Sequence, residues 1–320
     1  MNNFDLKVSV IIPVYNLVDY VEECLRGVLE QVTDFNFEVI VADDASTDGS
    51  AEIIKKLVHQ YPTKLRALYQ EKNQGLVENL KGLLGETQAN YIAYLDGDDI
   101  ALPGKLQAQV DYLDATPSCA ICYHESEVFE SDSDKVISFY SKDNYNWQYI
   151  PTRADISHLI RFGTFLQASA VMFRRHESLH KVIDTRCEII VDFPMHIANT
   201  YFIGGTIDYI DDVLGRYRVH NESFGAQTAR SVTRREKVWK DLYEVCEQSS
   251  NFGVSQEDIE QGKMHFTFAA ALYFLRMNEF TLFKKYIEES SADIGFFNDK
   301  HRYAFENRAK PAELKSYLFK

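Results

Sequence analysis

The run from Lys7 to Tyr15, KVSVIIPVY, is almost continuously apolar and β-branched. A strand of that kind is buried on both faces, which a helix-covered parallel sheet provides and a one-sided hairpin does not. Pro13 near its end has no N–H to donate, so the ladder cannot extend much further. Asn16 is then expected to open a helix, because Val18, Val21, Leu25, Val28, Leu29 and Val32 recur at helical spacing. Strand-like runs return at Phe37 to Ala42, at Leu65 to Tyr69 and from Tyr91, with helical stretches between them. Four such alternations with short connections predict an α/β fold, a Rossmann-like and mostly parallel sheet with flanking helices.

Sheets of this type bind ligands beyond the carboxyl ends of their strands. Tyr15, Asp43, Asp44, Asn73 and the cluster Asp96-Gly97-Asp98-Asp99 all fall at those ends. Three carboxylates within four residues repel one another unless water or a cation neutralises them. Oxygen ligands of this sort suit Mg2+ or Mn2+, ions that keep open positions for phosphate oxygens, so a nucleoside diphosphate is the natural companion. The plainer reading is an acidic turn in which Asp98 or Asp99 caps a helix, and Ser46, Thr47 or Asp48 could cap another. No G-x-G-x-x-G follows the first strand and no G-x-x-x-x-G-K-[ST] occurs, so dinucleotide-fingerprint and P-loop readings lose their support.

Beyond these strands the pattern predicts a helix from Pro103 to Ala115 and a strand from Ser118 to Phe129. Residues 130–152 are polar and aromatic with weak periodicity, as expected of a long excursion over a cleft. A helix over Ala154 to Phe162, a strand over Ala168 to Phe173 and a short helix after Arg174-Arg175 follow. Asp192 opens a helix with Pro194 in its first turn. Two short strands, Thr206 to Ile210 and Val213 to Val219, precede a helical pattern from about Thr228 onward.

A net charge of -14 over 320 residues argues against a nucleic-acid binder. The five cysteines are scattered and odd in number, which suits reduced thiols in a cytoplasmic protein. Cys119-Ala-Ile-Cys122 has redox spacing but lies in an apolar strand, so structural cysteines are expected there. A strand is expected within the first ten residues, so a secretory signal is not expected there. No apolar stretch approaches the roughly 20 residues that span a bilayer. His176-Glu177-Ser-Leu-His180 matches the zinc-peptidase motif H-E-x-x-H, yet Ile183 and Arg186 stand where the extended form needs Gly and His.

The order of these stretches resembles the family 2 glycosyltransferases of the GT-A fold. Val8-Ser-Val-Ile-Ile-Pro-Val-Tyr-Asn16, Val41-Ala-Asp-Asp-Ala-Ser-Thr-Asp-Gly49, Asn73-Gln-Gly75, Tyr94-Leu-Asp-Gly-Asp-Asp99 and Tyr217-Arg-Val-His220 carry the resemblance. It implies a catalytic domain over residues 1–225 and leaves 226–320 as a helical extension with an acceptor, oligomer or membrane-proximal role.

The activity implied is that of a metal-dependent, inverting hexosyltransferase. It would move a sugar from a nucleotide donor, UDP-linked, to a hydroxyl of a glycan or lipid-linked acceptor in surface-polysaccharide synthesis. Pro13, Tyr15, Asp43, Asp44, Asn73 and Asp96 would hold the nucleotide. Tyr15 would stack on the base while Asp44, with Asp43 beside it, accepts the ring imide proton. Asp98 and His220 would hold Mn2+ or Mg2+, and Asp192 would be the catalytic base. Asp99, Gln167 and Arg218 are candidates for donor or acceptor contacts.

One base suffices because the nucleoside diphosphate leaves stabilised by its metal, whereas glycoside hydrolysis needs a second group to protonate the leaving group. Two positions depart from the family pattern. Val77-Glu78-Asn79 stands where Ala-Arg-Asn is common, and Val191 where Glu often precedes the base. A non-catalytic nucleotide-sugar-binding protein is the competing reading. A homodimer and a peripheral contact at the inner membrane face, made by the aromatic C-terminal helices, are further expectations.

Overall fold

The computed structural model describes residues 6–291 and 295–319. Met1–Asp5 and Lys320, the outer ends of the two expected domains, lie outside the described residues. In chain order the strands are β1 Leu6–Val14, β2 Asn36–Asp43, β3 Leu65–Tyr69, β4 Tyr91–Tyr94, β5 Ile100–Ala101, β6 Cys119–Glu130, β7 Val136–Phe139, β8 Arg153–Ala154, β9 Val171–Arg174 and β10 Thr206–Val219. The first helices are α1 Val21–Leu29, α2 Ser50–Gln60, α3 Leu76–Gly85, α4 Lys105–Ala115, α5 Ile156–Phe162 and α6 Asp192–Ile203. They are followed by α7 Phe224–Arg230, α8 Val232–Gln248, α9 Gln256–Arg276, α10 Phe280–Glu289, α11 Asp299–Glu306 and α12 Pro311–Leu318.

The chain divides into two compact units. One comprises Met1–Asp155, Thr164–Thr185 and Pro194–His220; the other takes Ile156–Gly163, Arg186–Phe193 and the chain from Asn221. The first holds a sheet with strand order β3-β2-β1-β4-β9-β6-β10-β5. β1, β2, β3 and β4 pair in parallel, as their apolar runs predict, and so do β6 and β10. β9 enters antiparallel between β4 and β6. Val8, Val10, Ile12 and Val14 of β1 pack with Val39 and Val41 of β2 and with Cys24, Leu25 and Val28 of α1, all essentially without solvent exposure. Burial of that order, at roughly 25 cal/mol per Å2 of apolar surface, is what commits these runs to the sheet.

Local details depart from the sequence expectations. Asn16 does not open a helix but takes a left-handed conformation (φ 53°), and α1 starts five residues later. Gly49, not a side-chain cap, precedes α2, while Asp48 accepts the Ser50 N–H at 2.9 Å. The excursion over 130–152 is not irregular throughout. It carries β7, which extends the sheet from β6, and a 3-10 turn at Trp147–Tyr149. The two strands expected between Thr206 and Val219 are one strand, β10, whose pairing with β6 slips near Val213.

In the second unit the long helix α9 packs against α5, α8 and α10. Its core contains Phe268, Phe274, Phe283, Tyr286 and Ile287, so the C-terminal aromatics largely build an interior. Gly262 of α9 sits so close to the backbone of α5 that an added Cβ would fall 2.4 Å from the Ile160 carbonyl oxygen. No described helix is long and apolar enough to cross a membrane.

Candidate functional site

The first unit brings two groups of the expected residues together at the carboxyl ends of its strands. At the end of β2, Asp43 and Asp44 are both buried. Asp44 Oδ1 accepts the Gln74 N–H and Oδ2 the Gly75 N–H, each at 2.8 Å, so its carboxylate is spent on shaping the turn before α3. Gly75 has φ 85°, a conformation that glycine adopts without penalty. Asn73 is exposed and caps the same Gly75 N–H at 3.1 Å.

Asp43 Oδ2 accepts the Ser46 N–H at 3.1 Å, whereas its buried Oδ1 has no partner. An unpaired buried carboxylate oxygen is costly, and a ligand N–H would satisfy it. Asn79 Nδ2 donates to the Ala42 carbonyl at 3.0 Å and so holds the strand end that carries Asp43. Tyr15 follows β1 with 46% of its surface exposed, a ring open for stacking, and Pro13 is buried in that strand. Asn16 links the two loops, donating its N–H to Ser46 Oγ and accepting the Thr47 N–H, both at 2.9 Å.

The second group surrounds the turn after β4. An added Cβ on Gly97 would lie 2.9 Å from side-chain carbons of Val14 and Leu17 and 3.0 Å from the Pro13 carbonyl oxygen, so only glycine lets the turn seat against β1. Asp96 accepts the Tyr94 hydroxyl at 2.5 Å and donates its N–H to Ser169 Oγ at 2.8 Å. Asp98 Oδ2 lies 3.0 Å from His220 Nε2, across a sequence separation of 122 residues. The Tyr20 ring packs on the His220 ring with centroids 4.5 Å apart.

Asp99, next to Asp98 in the chain, engages both Gln167 and Arg218. Asp99 accepts Gln167 Nε2 at 2.7 Å, Ser169 Oγ at 2.6 Å and the Arg218 N–H at 2.9 Å. The Arg218 guanidinium donates to the Asp98 carbonyl at 2.8 Å, to Glu23 at 2.5 Å and to Ser131 at 3.3 Å, and lies over the Tyr20 ring. Burial, reinforced by the Asp98 and Asp96 carboxylates, pushes Asp99 well above the usual carboxylate range. Burial likewise pulls Lys105 down to about 8, and its ammonium donates to the Ser169 carbonyl. Ser169, Glu23 and Tyr20 were not singled out in the sequence. Ser169 is hidden in an apolar run, and Glu23 reads as an ordinary acid on an amphipathic helix.

Among the described residues no group of three or more His, Cys, Asp or Glu side chains converges as a metal cage. Asp98 and His220 nevertheless form a two-donor set, and a hard divalent ion commonly takes one or two protein ligands and completes its shell with water and phosphate oxygens. The carboxylates around Asp98 supply the negative field such an ion neutralises. The residues therefore fit an ion delivered with a diphosphate better than a permanently caged one.

Asp192 opens α6, with Pro194 in its first turn, and groups with the second unit. The H-E-x-x-H match does not make a helical metal face. Leu179–Lys181 is a 3-10 turn and His176 Nε2 lies 2.8 Å from Asn199 Oδ1. Cys119 and Cys122 are buried, and burial pushes both thiols up, which suits structural cysteines.

Comparison with known proteins gives a consistent picture. The family model described as glycosyl transferase family 2 matches residues 9–183. An uncharacterized protein of Mycobacterium tuberculosis is 31% identical over 229 residues, covering 71% of this chain and 62% of the relative, so the chain spans less than two thirds of that protein's length. Among solved structures, S. aureus TarS 1-349 in complex with UDP-GlcNAc is similar with a TM-score of 0.65 at 16% identity, over 97% of this chain and 90% of the other. The mannosyltransferase PcManGT of Pyrobaculum calidifontis, in complex with GDP-Man and Mn2+, gives a TM-score of 0.61 at 17% identity, over 98% and 88%. At such identities the likeness concerns the fold, and it bears out the expected GT-A architecture with helices after the sheet.

Proposed function

This chain belongs to glycosyl transferase family 2, and on that premise we propose that it is an inverting, metal-dependent glycosyltransferase that uses a nucleotide-sugar donor. The observation that carries the reading is the pairing of Asp98 with His220 at 3.0 Å in the same unit as the unpartnered Asp43 oxygen. Together they supply a two-donor cation site and an acceptor for a base N–H.

The roles divide as follows. Tyr15 stacks on the base, and Asp43 Oδ1 accepts a ring N–H such as the one uracil presents; the UDP-linked donor itself is what the sequence resemblance supports. Asp44 and Asn73 shape the turn beside them. Asp96 faces the ribose. Asp98 and His220 would hold Mn2+ or Mg2+, which would supply charge neutralisation for the diphosphate leaving group. Asp99, Gln167 and Arg218 brace that pair. Asp192 takes the proton from the acceptor hydroxyl as it attacks the anomeric carbon from the face opposite the leaving group, which inverts configuration. The acceptor is a glycan or lipid-linked hydroxyl, and the setting that the sequence resemblance supports is cytoplasmic surface-polysaccharide synthesis. PcManGT, solved with GDP-Man and Mn2+, offers a precedent for the metal, and TarS, solved with UDP-GlcNAc, for the donor class.

A thermal-shift screen of nucleotide sugars with and without Mn2+ tests the proposal, because a ligand that binds only the native state raises the melting temperature. A UDP-sugar is expected to stabilise the chain, more strongly with Mn2+ than without. Binding with no turnover in any acceptor assay would instead identify a nucleotide-sugar-binding protein.

A further inference from the structure

The segment between Arg186 and Val191 has neither helix nor strand, so its own backbone pattern does not hold it. Its N–H groups still need partners. Three in succession converge on one side chain of α8. Glu188 N donates to Asp241 Oδ1 at 3.1 Å, and Ile189 N and Ile190 N donate to Asp241 Oδ2 at 2.7 and 2.9 Å. Successive backbone N–H groups curled around an anion form a recognised type of nest, here filled by a carboxylate that is only 3% exposed. Lys237, one turn earlier on α8, reaches the same segment and pairs with Glu188 Oε2 at 2.6 Å. Two residues beyond Ile190, Asp192 opens α6.

We infer that Asp241 is a positioning residue for Asp192, and that the helical extension beyond the family-matched region therefore sets the base of the transfer reaction. This rests on Asp192 being the base, as proposed above. The family match ends at residue 183, so both Asp192 and its holder lie outside it. A segment without secondary structure cannot by itself hold a carboxylate in register with an attacking hydroxyl. Three hydrogen bonds to a buried side chain remove most of its freedom just before the residue that matters. Asparagine is a poor substitute at 241, because it offers one acceptor oxygen and turns N–H donors toward backbone N–H donors. Glutamate keeps both acceptor oxygens at a different reach.

The test uses the full chain and its Asp192→Asn, Asp241→Asn and Asp241→Glu variants. UDP released from UDP-glucose, UDP-galactose and UDP-N-acetylglucosamine is measured with Mn2+ and with water as the acceptor hydroxyl that Asp192 deprotonates, alongside the affinity for UDP and Mn2+. Amide exchange at Glu188, Ile189 and Ile190 reads the nest without any turnover. Asp241→Asn is expected to lower kcat by about 10- to 100-fold, the penalty of a misplaced reacting group. The donor KM and UDP affinity should stay unchanged, the three amides should exchange faster, and Asp241→Glu should recover part of the rate. Wild-type kcat or unchanged amide protection in Asp241→Asn would overturn the inference, as would a parallel loss of UDP affinity, which would mark a general structural role. Turnover retained by Asp192→Asn, or no turnover of any of the three sugars by the wild type, would overturn the proposed reading of the base instead.

Discussion

Asp43 and Asp44 are neighbours of equal burial, yet only Asp44 has both carboxylate oxygens occupied, by the N–H groups of Gln74 and Gly75. Oδ1 of Asp43 is buried without a hydrogen-bond partner, and the function proposed above gives it the base N–H. Asp43→Asn is therefore expected to weaken UDP binding by about 10- to 100-fold, the range of a hydrogen bond to a charged group. Asp44→Asn should instead lower the melting temperature by loosening the turn at Gly75. Calorimetric titration with UDP and a melting curve on both variants separate the two roles.

Arg218 holds Asp98 by the backbone, through its guanidinium bond to the Asp98 carbonyl, and packs against Tyr20, which in turn packs on His220. Arg218→Gln should weaken Mn2+ affinity by about 10- to 100-fold, as loss of an outer-shell partner commonly does. Arg218→Lys should not restore it, since a lysine cannot reproduce the planar fork that reaches the Asp98 carbonyl, Glu23 and Ser131 together. Titrating Mn2+ in the presence of saturating UDP measures both.

His301 in α11 sets a pH dependence for the second unit. Its Nδ1 accepts the Phe297 N–H at 3.1 Å, and the ring stacks on Phe268, so the folded state needs the neutral imidazole. Burial pulls its pKa from the free value of 6.5 down to about 4. Between those values the unfolded chain binds a proton that the folded chain refuses, so stability falls as pH is lowered through that window and levels off above it. His265, pulled down to about 3 by burial, acts in the same direction. Thermal melts followed by Trp239 emission in a Trp147→Phe background should show the decline, and His301→Gln should flatten part of it.

The strands β1 to β4 were legible because a strand buried on both faces leaves an unbroken apolar run, and the carboxylates at their ends stand out against it. The pairing of Asp98 with His220 was not legible from spacing. It depends on β10 crossing the sheet beside β6, and only the family resemblance put the two residues in one site. The antiparallel entry of β9, the strand within the excursion at Val136–Phe139 and the brace of Glu23 on Arg218 follow from tertiary contacts that leave no periodic trace. Asp241 was invisible for the same reason. An acid on a long amphipathic helix reads as solvated surface until the backbone it caps is seen.

Binding of UDP to the wild-type chain and to Asp98→Ala, each titrated calorimetrically with and without Mn2+, tests the central claim most directly. The account predicts that Mn2+ strengthens UDP binding to the wild type and leaves the variant at the metal-free affinity. Equal strengthening by Mn2+ in both proteins, or none in the wild type, would contradict it.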